Sequence, residues 1–173
     1  MVKLSTIIFI FAVIATAHGV AVVKRDPPRS ITVESKFVFC MFLPKKPGEI
    51  IGDSERDAIP FCTESSPNAT GAKIFPSGFI KKAFFKKEVD FVQVTGTIDR
   101  TKYKLKKSDG GGQYDIRAPL HANCTGFKNF VNIIEPDENI FCIRCCNDTT
   151  KCDTSRSTEG CKSVVHGHYG KKG

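Results

Sequence analysis

Phe141-Cys-Ile-Arg-Cys-Cys146, followed by Cys152 and Cys161, gathers five of the chain's eight cysteines into about twenty residues. Cys40, Cys62 and Cys124 are spread over the preceding hundred. A dense knot with distant single partners is the pattern of a disulfide framework that pins remote strands to one anchor. Zinc would need a second Cys or His pair at matching spacing to complete its tetrahedron, and vicinal Cys145 and Cys146 do not turn easily toward one metal. A redox Cys-x-x-Cys belongs at a strand-to-helix junction, whereas Ile140-Phe-Cys-Ile reads as a strand running into a loop. Eight cysteines allow 105 connectivities. Cys145 and Cys146 are expected to take different partners, because bonding neighbours to each other closes a strained ring. Cys40 and Cys62 either pair together or reach the knot separately.

The N-terminus supports an oxidising destination. Lys3 precedes the apolar run Leu4–Ala15, and Ala15, Ala17 and Gly19 offer small residues for a peptidase. This is the three-part layout of a secretory signal over 1–19. The run is shorter than the roughly 20 residues a membrane span requires, and no later stretch is apolar enough to anchor the chain. Residues 20–25 end in Lys24-Arg25, a dibasic processing site that would leave a mature chain beginning at Asp26.

That mature chain has 148 residues, the size of one ordinary domain with a real core. The full sequence carries 26 basic and 18 acidic residues; Lys3, Lys24 and Arg25 leave with the leader, so the mature balance is 23 against 18, net +5. Such a charge permits attraction to polyanions without requiring it, and nothing points to a specific nucleic acid. Fourteen Phe and no Trp argue against exposed Trp platforms for sugar stacking. Asn68-Ala-Thr, Asn123-Cys-Thr and Asn147-Asp-Thr are glycosylation acceptors; Asn123 and Asn147 abut cysteines, which leaves Asn68 as the best acceptor.

Residues 26–35 have no apolar period and read as a flexible lead-in, and 36–165 as a disulfide-stapled β-rich domain. Lys36–Phe42 reads as a strand buried on both sides and locked by Cys40. Asp53–Ile59 has the makings of one or two helical turns stopped by Pro60. Residues 79–87 and 91–98 are strands; in the second, Val92, Val94 and Ile98 share one face and Gln93, Thr95 and Thr97 the other. Thr101–Lys106 alternates again, Tyr103 and Leu105 against lysines, as a guarded edge strand would. Asp109-Gly-Gly-Gly-Gln-Tyr-Asp115 reads as a flexible, solvated turn: it lacks a phosphate-binding ending, and its Asp spacing matches no calcium loop. Residues 127–134 and 140–144 are two further strands, and 166–173 a flexible tail. The expected fold is therefore one mainly-β, barrel- or sandwich-like domain with about four disulfides and one or two helical turns.

No catalytic set emerges. The mature chain's histidines are His121, His166 and His168, none beside a nucleophile motif, and with every cysteine paired there is no spare thiol. The only enzyme-like option is a carboxylate pair drawn from Asp53, Glu55, Asp57 and Glu135, Asp137, Glu138. No cofactor or metal is implied. A meander of 79–87, 91–98 and 102–106 would bring Lys81, Lys82, Lys86 and Lys87 near Lys102, Lys104, Lys106 and Lys107, a basic surface for an anionic wall polymer or host surface component.

Several blocks together resemble a family of small secreted cysteine-rich fungal proteins, some labelled macrophage-activating-glycoprotein-like. They are Phe39-Cys-Met-Phe-Leu-Pro, Val92-Gln-Val-Thr-Gly-Thr-Ile-Asp-Arg-Thr-Lys-Tyr, Ser108-Asp-Gly-Gly-Gly-Gln-Tyr-Asp, Phe130-Val-Asn-Ile-Ile-Glu-Pro-Asp, Phe141-Cys-Ile-Arg-Cys-Cys and Arg156-Ser-Thr-Glu-Gly-Cys. The resemblance runs from about Phe39 to Val165. It implies a fungal source and carries across no catalytic residue. The leading expectation is a secreted, monomeric, non-enzymatic protein that binds at a cell surface or wall, with an effector role toward a host. The alternatives are a carboxylate-dependent hydrolase or protease inhibitor, and a structural wall protein.

Overall fold

Ten strands and one short helix build an open, layered β-structure, described by a computed structural model for residues 29–69 and 71–170. The expected signal, dibasic site and pro-segment lie outside the described residues. The central layer is a five-stranded antiparallel sheet of β5 (Ile80–Lys87), β6 (Phe91–Ile98), β10 (Ile140–Cys146), β9 (Asn129–Glu135) and β7 (Gly112–Asp115), in that order. In front lies a three-stranded sheet of β2 (Cys40–Leu43), β3 (Ile59–Cys62) and β4 (Lys73–Ile74). A parallel pair, β1 (Arg29–Ile31) with β8 (Ala122–Cys124), completes the strands. The sheets do not close into a barrel, so the sandwich-like half of the expectation is the one realised.

Strand alternation divides the central sheet into two faces. Val92, Val94, Ile98, Phe130, Ile134, Phe141, Ile143 and Cys145 point forward into the core shared with β2 and β3. That core is aromatic. Phe39 stacks on Phe141 at 5.6 Å between centroids, Phe42 on Phe130 at 5.6 Å, and Tyr103 stands edge-on to Phe61 at 5.3 Å. Pairs of this kind add about 1 kcal/mol each beyond their burial, so the disulfides reinforce a packed interior rather than substitute for one.

The back face carries Phe91, Val131, Ile133, Ile140, Cys142 and Cys146, and the C-terminal segment closes over it with Cys152, Cys161, Val164, Val165 and Tyr169. Where a loose tail was expected, residues 166–170 are bound to the sheet. Gln93 Nε2 donates to the His166 carbonyl at 2.9 Å and Thr95 Oγ1 to the His168 carbonyl at 2.7 Å. The polar side of β6 is thus buried beneath backbone that needs donors. Tyr169 lies under 10% exposed and donates to the Cys161 carbonyl from the helix α1 (Gly160–Val164).

All eight cysteines pair: Cys40–Cys62, Cys124–Cys145, Cys142–Cys161 and Cys146–Cys152. Cys40 and Cys62 face each other directly across β2 and β3. Vicinal Cys145 and Cys146 take different partners as expected, and the strand explains why. Neighbours on β10 point to opposite faces, so Cys145 is stapled forward to β8 and Cys146 backward to the C-terminal cover.

Four local readings are corrected. Residues 29–33 are no flexible lead-in: Arg29–Ile31 pairs with β8, and Ile31, Thr32 and Val33 are buried. Thr101–Lys106 is not a strand. Arg100–Tyr103 is a 3-10 turn started by the Asp99 side chain, which accepts the Thr101 N–H at 3.1 Å, and stopped by Lys104 in the left-handed region (φ 55°). The alternation there was real in burial only, since Tyr103 and Leu105 both reach the core. The solvated turn at 109–115 is instead β7 preceded by a buried Asp109, whose carboxylate accepts the Ile51 and Gly111 N–H groups at 3.0 and 2.9 Å. Pro60 likewise enters β3 rather than ending a helix. It sits beyond the reach of β4, which pairs only with Phe61 and Cys62, where a strand tolerates a missing N–H.

Candidate functional site

The loss of the 101–106 strand dissolves the expected meander, because the second partner of β6 is β10. All eight lysines are exposed, but they are not brought to one face. Lys81 and Lys102 both lie near Asp99 and, after its bonds to Thr101, help hold its carboxyl below the usual range. Lys86 pairs with Glu88 and stands over the Phe91 ring. Lys82 reaches the Gly170 carbonyl at 3.4 Å. Lys106 borders a cavity with Glu49, Asp53 and Asp57. Lys87, Lys104 and Lys107 are exposed without joining these groups.

The acidic clusters separate and recombine. Asp53 and Asp57 belong to the cavity at Lys106, while Glu55 and Glu135 line a different cleft of about 350 Å³. Glycines 52, 110, 111, 112 and 160 form much of its wall, with Gln113, Ser157 and Thr158. A smaller hollow of about 230 Å³ shares Glu55, Gln113 and Ser157 with it and adds Asp115 and Arg117.

Each polar group there is placed by a nameable element. Glu135 ends β9, and its Oε2 accepts the Cys161 N–H at 2.8 Å, at the start of α1. Burial pushes its carboxyl up, the Cys161 bond opposes that, and neighbouring Asp137 adds to the rise. Gly160 adopts a left-handed φ of +74° that favours glycine, and a Cβ there would fall 2.4 Å from Glu135 Oε1. Asp115 closes β7, and Arg117 turns back on it, with Nε 3.1 Å from both carboxylate oxygens. Burial raises the Asp115 pKa, but the Arg117 bonds outweigh it and hold the group below its ordinary value.

Gln113 is the group that sequence reasoning missed. It sits on β7, 5% exposed, and its Nε2 donates to Asp115 Oδ2 and to the Thr154 carbonyl, each at 3.0 Å. Its Oε1 is buried with no hydrogen-bond partner among the described residues. Reversing the amide would set that oxygen against two acceptors, so the orientation is fixed by its surroundings. The Gln-Tyr-Asp alternation after the glycines was the available signal.

Among the described residues no group of three or more His, Cys, Asp or Glu is arranged to hold a metal, and no helix is long and apolar enough to cross a membrane. His121, His166 and His168 are exposed and apart from the cleft lining. Of the glycosylation acceptors, Asn68 and Asn147 are exposed, whereas Asn123 lies within β8 and donates to Ser30 Oγ at 3.1 Å.

Two curated fungal proteins are similar to the chain. Appressorium protein ROW1 of Mycosarcoma maydis is 27% identical over 150 residues, covering 76% of this chain and 34% of the relative. Appressorium protein ROW2 of the same organism is 35% identical over 89 residues, covering 50% of this chain and 30% of the relative. The chain thus spans about a third of the length of the curated relatives it matches. No family model and no solved structure matches. The fungal character expected from the sequence blocks agrees with these relatives, which carry appressorium names.

Proposed function

We propose that this chain is a secreted, non-enzymatic protein that binds at a fungal cell surface or wall, in the setting of host entry. The observation that carries the reading is its similarity to two appressorium proteins. Four disulfides agree with an extracellular home. The cleft fits binding better than turnover: Glu135 is tied through Oε2 to the Cys161 backbone, and Asp115 is occupied by Arg117.

The test is to express the full chain with a C-terminal tag in a fungal host and fractionate the culture into medium, wall and cell interior. Recovery from medium and washed walls, with the eight cysteines blocked to alkylation, is the expected result. Retention inside the cell as a reduced protein would overturn the reading. The lysines have their own part in it. Lys81 and Lys102, near each other at Asp99, form a smaller cationic spot than eight lysines would, and they contact anionic wall polymer. On a heparin column, Lys81→Ser/Lys102→Ser should elute at lower salt than the parent protein. Equal elution would leave these two as ordinary solvated surface.

A further inference from the structure

The central sheet has one long open margin. β5 pairs only with β6, so alternate backbone N–H and C=O groups along Ile80–Lys87 face away from the sheet. Among the described residues nothing bonds to them. The bulge between Ile80 and Lys82 disturbs one end, and residues 82–87 then run in unbroken register with β6. The opposite margin is different: β7 has four residues, and the Asp115–Ala118 bridge turns the chain back at its end. Short or broken margins are the usual defence against stray pairing, and β5, at eight residues, is not short.

Its side chains repeat one pattern on both faces. At the back, Lys82 and Lys86 flank Phe84, whose ring meets that of His168 at 5.6 Å between centroids. At the front, Ala83 and Phe85 rest on the core, and Lys87 follows. Lys81, Lys82, Lys86 and Lys87 are exposed, while Phe84 and Phe85 are only half-buried. A strand laid beside β5 would extend the cover of both rings and pair the outward backbone groups.

The lysines decide which strand. Residues 81–87, Lys-Lys-Ala-Phe-Phe-Lys-Lys, read nearly the same in both directions. A second copy paired antiparallel over them would set Lys81 opposite Lys87 and Lys82 opposite Lys86, and like charges directly opposite destabilise a sheet. A guard that works by charge becomes an attraction for a strand of opposite sign, and the mature balance of 23 basic to 18 acidic residues adds to it. The contact of Lys86 with Glu88 does not close the site: both are exposed, and surface pairs contribute little, so a partner carboxylate exchanges readily for Glu88. An anionic polysaccharide would serve the lysines but leave the backbone groups and both rings as they are.

We infer that β5 is a docking edge for an extended acidic segment of another protein, which joins the five-stranded sheet as an added strand. Acidic residues at the two ends of that segment meet Lys81 and Lys82 on one side and Lys86 and Lys87 on the other. Apolar or β-branched residues between them lie beside Phe84 and Phe85. Main-chain bonds supply the affinity, and the flanking charges select the partner and set its register. This goes beyond the surface-binding reading and is tested on purified protein, so localisation and docking fail separately.

The experiment titrates the oxidised, full mature chain with a capped strand-forming peptide that has a pair of acidic residues at each end and β-branched residues between. Amide NMR and hydrogen exchange follow the binding. The peptide should shift the amides of residues 81–87 and slow exchange among those that face outward. N-methylation of its central amides should weaken binding about tenfold or more, as lost main-chain bonds require. A counterpart with lysine in place of the acids should not bind. Lys86→Glu/Lys87→Glu, with the remaining spectrum unchanged, should weaken the acidic peptide about tenfold, from reversed charge pairs across the strands. Lys45→Glu/Lys46→Glu, the same change of net charge on an exposed loop away from β5, should leave binding as it was. Undiminished binding of the N-methylated peptide would reduce the contact to charge alone and overturn the inference. So would an absence of shifts at millimolar peptide, equal binding of the lysine counterpart, or equal loss in Lys45→Glu/Lys46→Glu. Heparin producing the same exchange protection along 81–87 would assign the edge to a polymer instead.

Discussion

Asn132, on the central sheet, accepts the backbone N–H of Phe42 from the front sheet at 2.7 Å, and both residues are fully buried. The same amide donates to the Cys142 carbonyl at 3.1 Å. Like the Cys40 N–H two residues earlier, which donates to the Thr32 carbonyl, the Phe42 N–H points away from β3, and no backbone carbonyl among the described residues accepts it. One side chain therefore satisfies an orphan donor and fixes how the two sheets sit. Asn132→Leu should cost about 1–3 kcal/mol, the penalty for a buried donor left unpaired, although it adds apolar volume. Urea unfolding would read this as a lower midpoint with little change in slope. A midpoint equal to the parent's would mean the bond is dispensable.

Gly96 marks the closest approach within the central sheet. A Cβ there would fall 1.9 Å from the Lys82 carbonyl oxygen and 2.9 Å from Phe141 Cε1. The β-bulge between Ile80 and Lys82 lies against this part of β6, and backbone cannot step aside as a side chain can. Gly96→Ala should therefore destabilise by about 3 kcal/mol, at the upper end of overpacking costs. Amide exchange should quicken first along residues 80–84. Unchanged exchange there would show that the sheet absorbs the methyl.

Cys142–Cys161 fastens α1 to the back of β10. Replacing both by alanine should cost about 2–4 kcal/mol, with an uneven effect. Amides of residues 161–169 should lose protection, while those of β2 and β3, which pack on the opposite face, keep theirs. Loss of protection in both layers together would show that the cover and the sandwich unfold as one unit.

Asp115 gives the fold an acid-sensitive contact. Its pKa is held below the ordinary 3.8, because bonds from Arg117 outweigh the effect of burial. A depressed carboxyl contributes stability above its unfolded value and loses it as pH falls through the folded one. Asp115→Asn should accordingly be less stable than the parent near neutrality, and the gap should close as pH is lowered below 3.8. Thermal melts at stepped pH would show it; a gap that is constant with pH would assign the loss to geometry rather than charge.

Much of the frame was legible because strands announce themselves by alternation. Val92, Val94 and Ile98 against Gln93, Thr95 and Thr97 were assigned to their faces, and the crowding at Cys142–Cys146 announced the staples. What escaped was non-local or used an alternation for another purpose. Arg29–Ile31 pairs in parallel with a strand more than ninety residues away, which no local pattern reports. Tyr103 and Leu105 alternate because a 3-10 turn happens to bury both. The cleft was hidden because Gly110–Gly112 looked like slack. Gly111 (φ +99°) instead lets β7 lie against Ile134, where a Cβ would sit 2.1 Å from the carbonyl oxygen, and that contact brings Gln113 beside Glu135.

The cover over the back of the central sheet also orders events during synthesis. β5, β6, β9 and β10 are all translated before Cys161, Val165 and Tyr169, yet Phe91, Val131, Ile133 and Ile140 are shielded by those later residues. A chain still being made thus presents an assembled sheet with one greasy side open, and Cys142 waiting as an unpaired thiol. Any folding helper that acts before residue 161 is made meets the protein in that half-dressed form. Emergence of residues 161–169 is the step that closes the back of the sheet and gives Cys142 its partner.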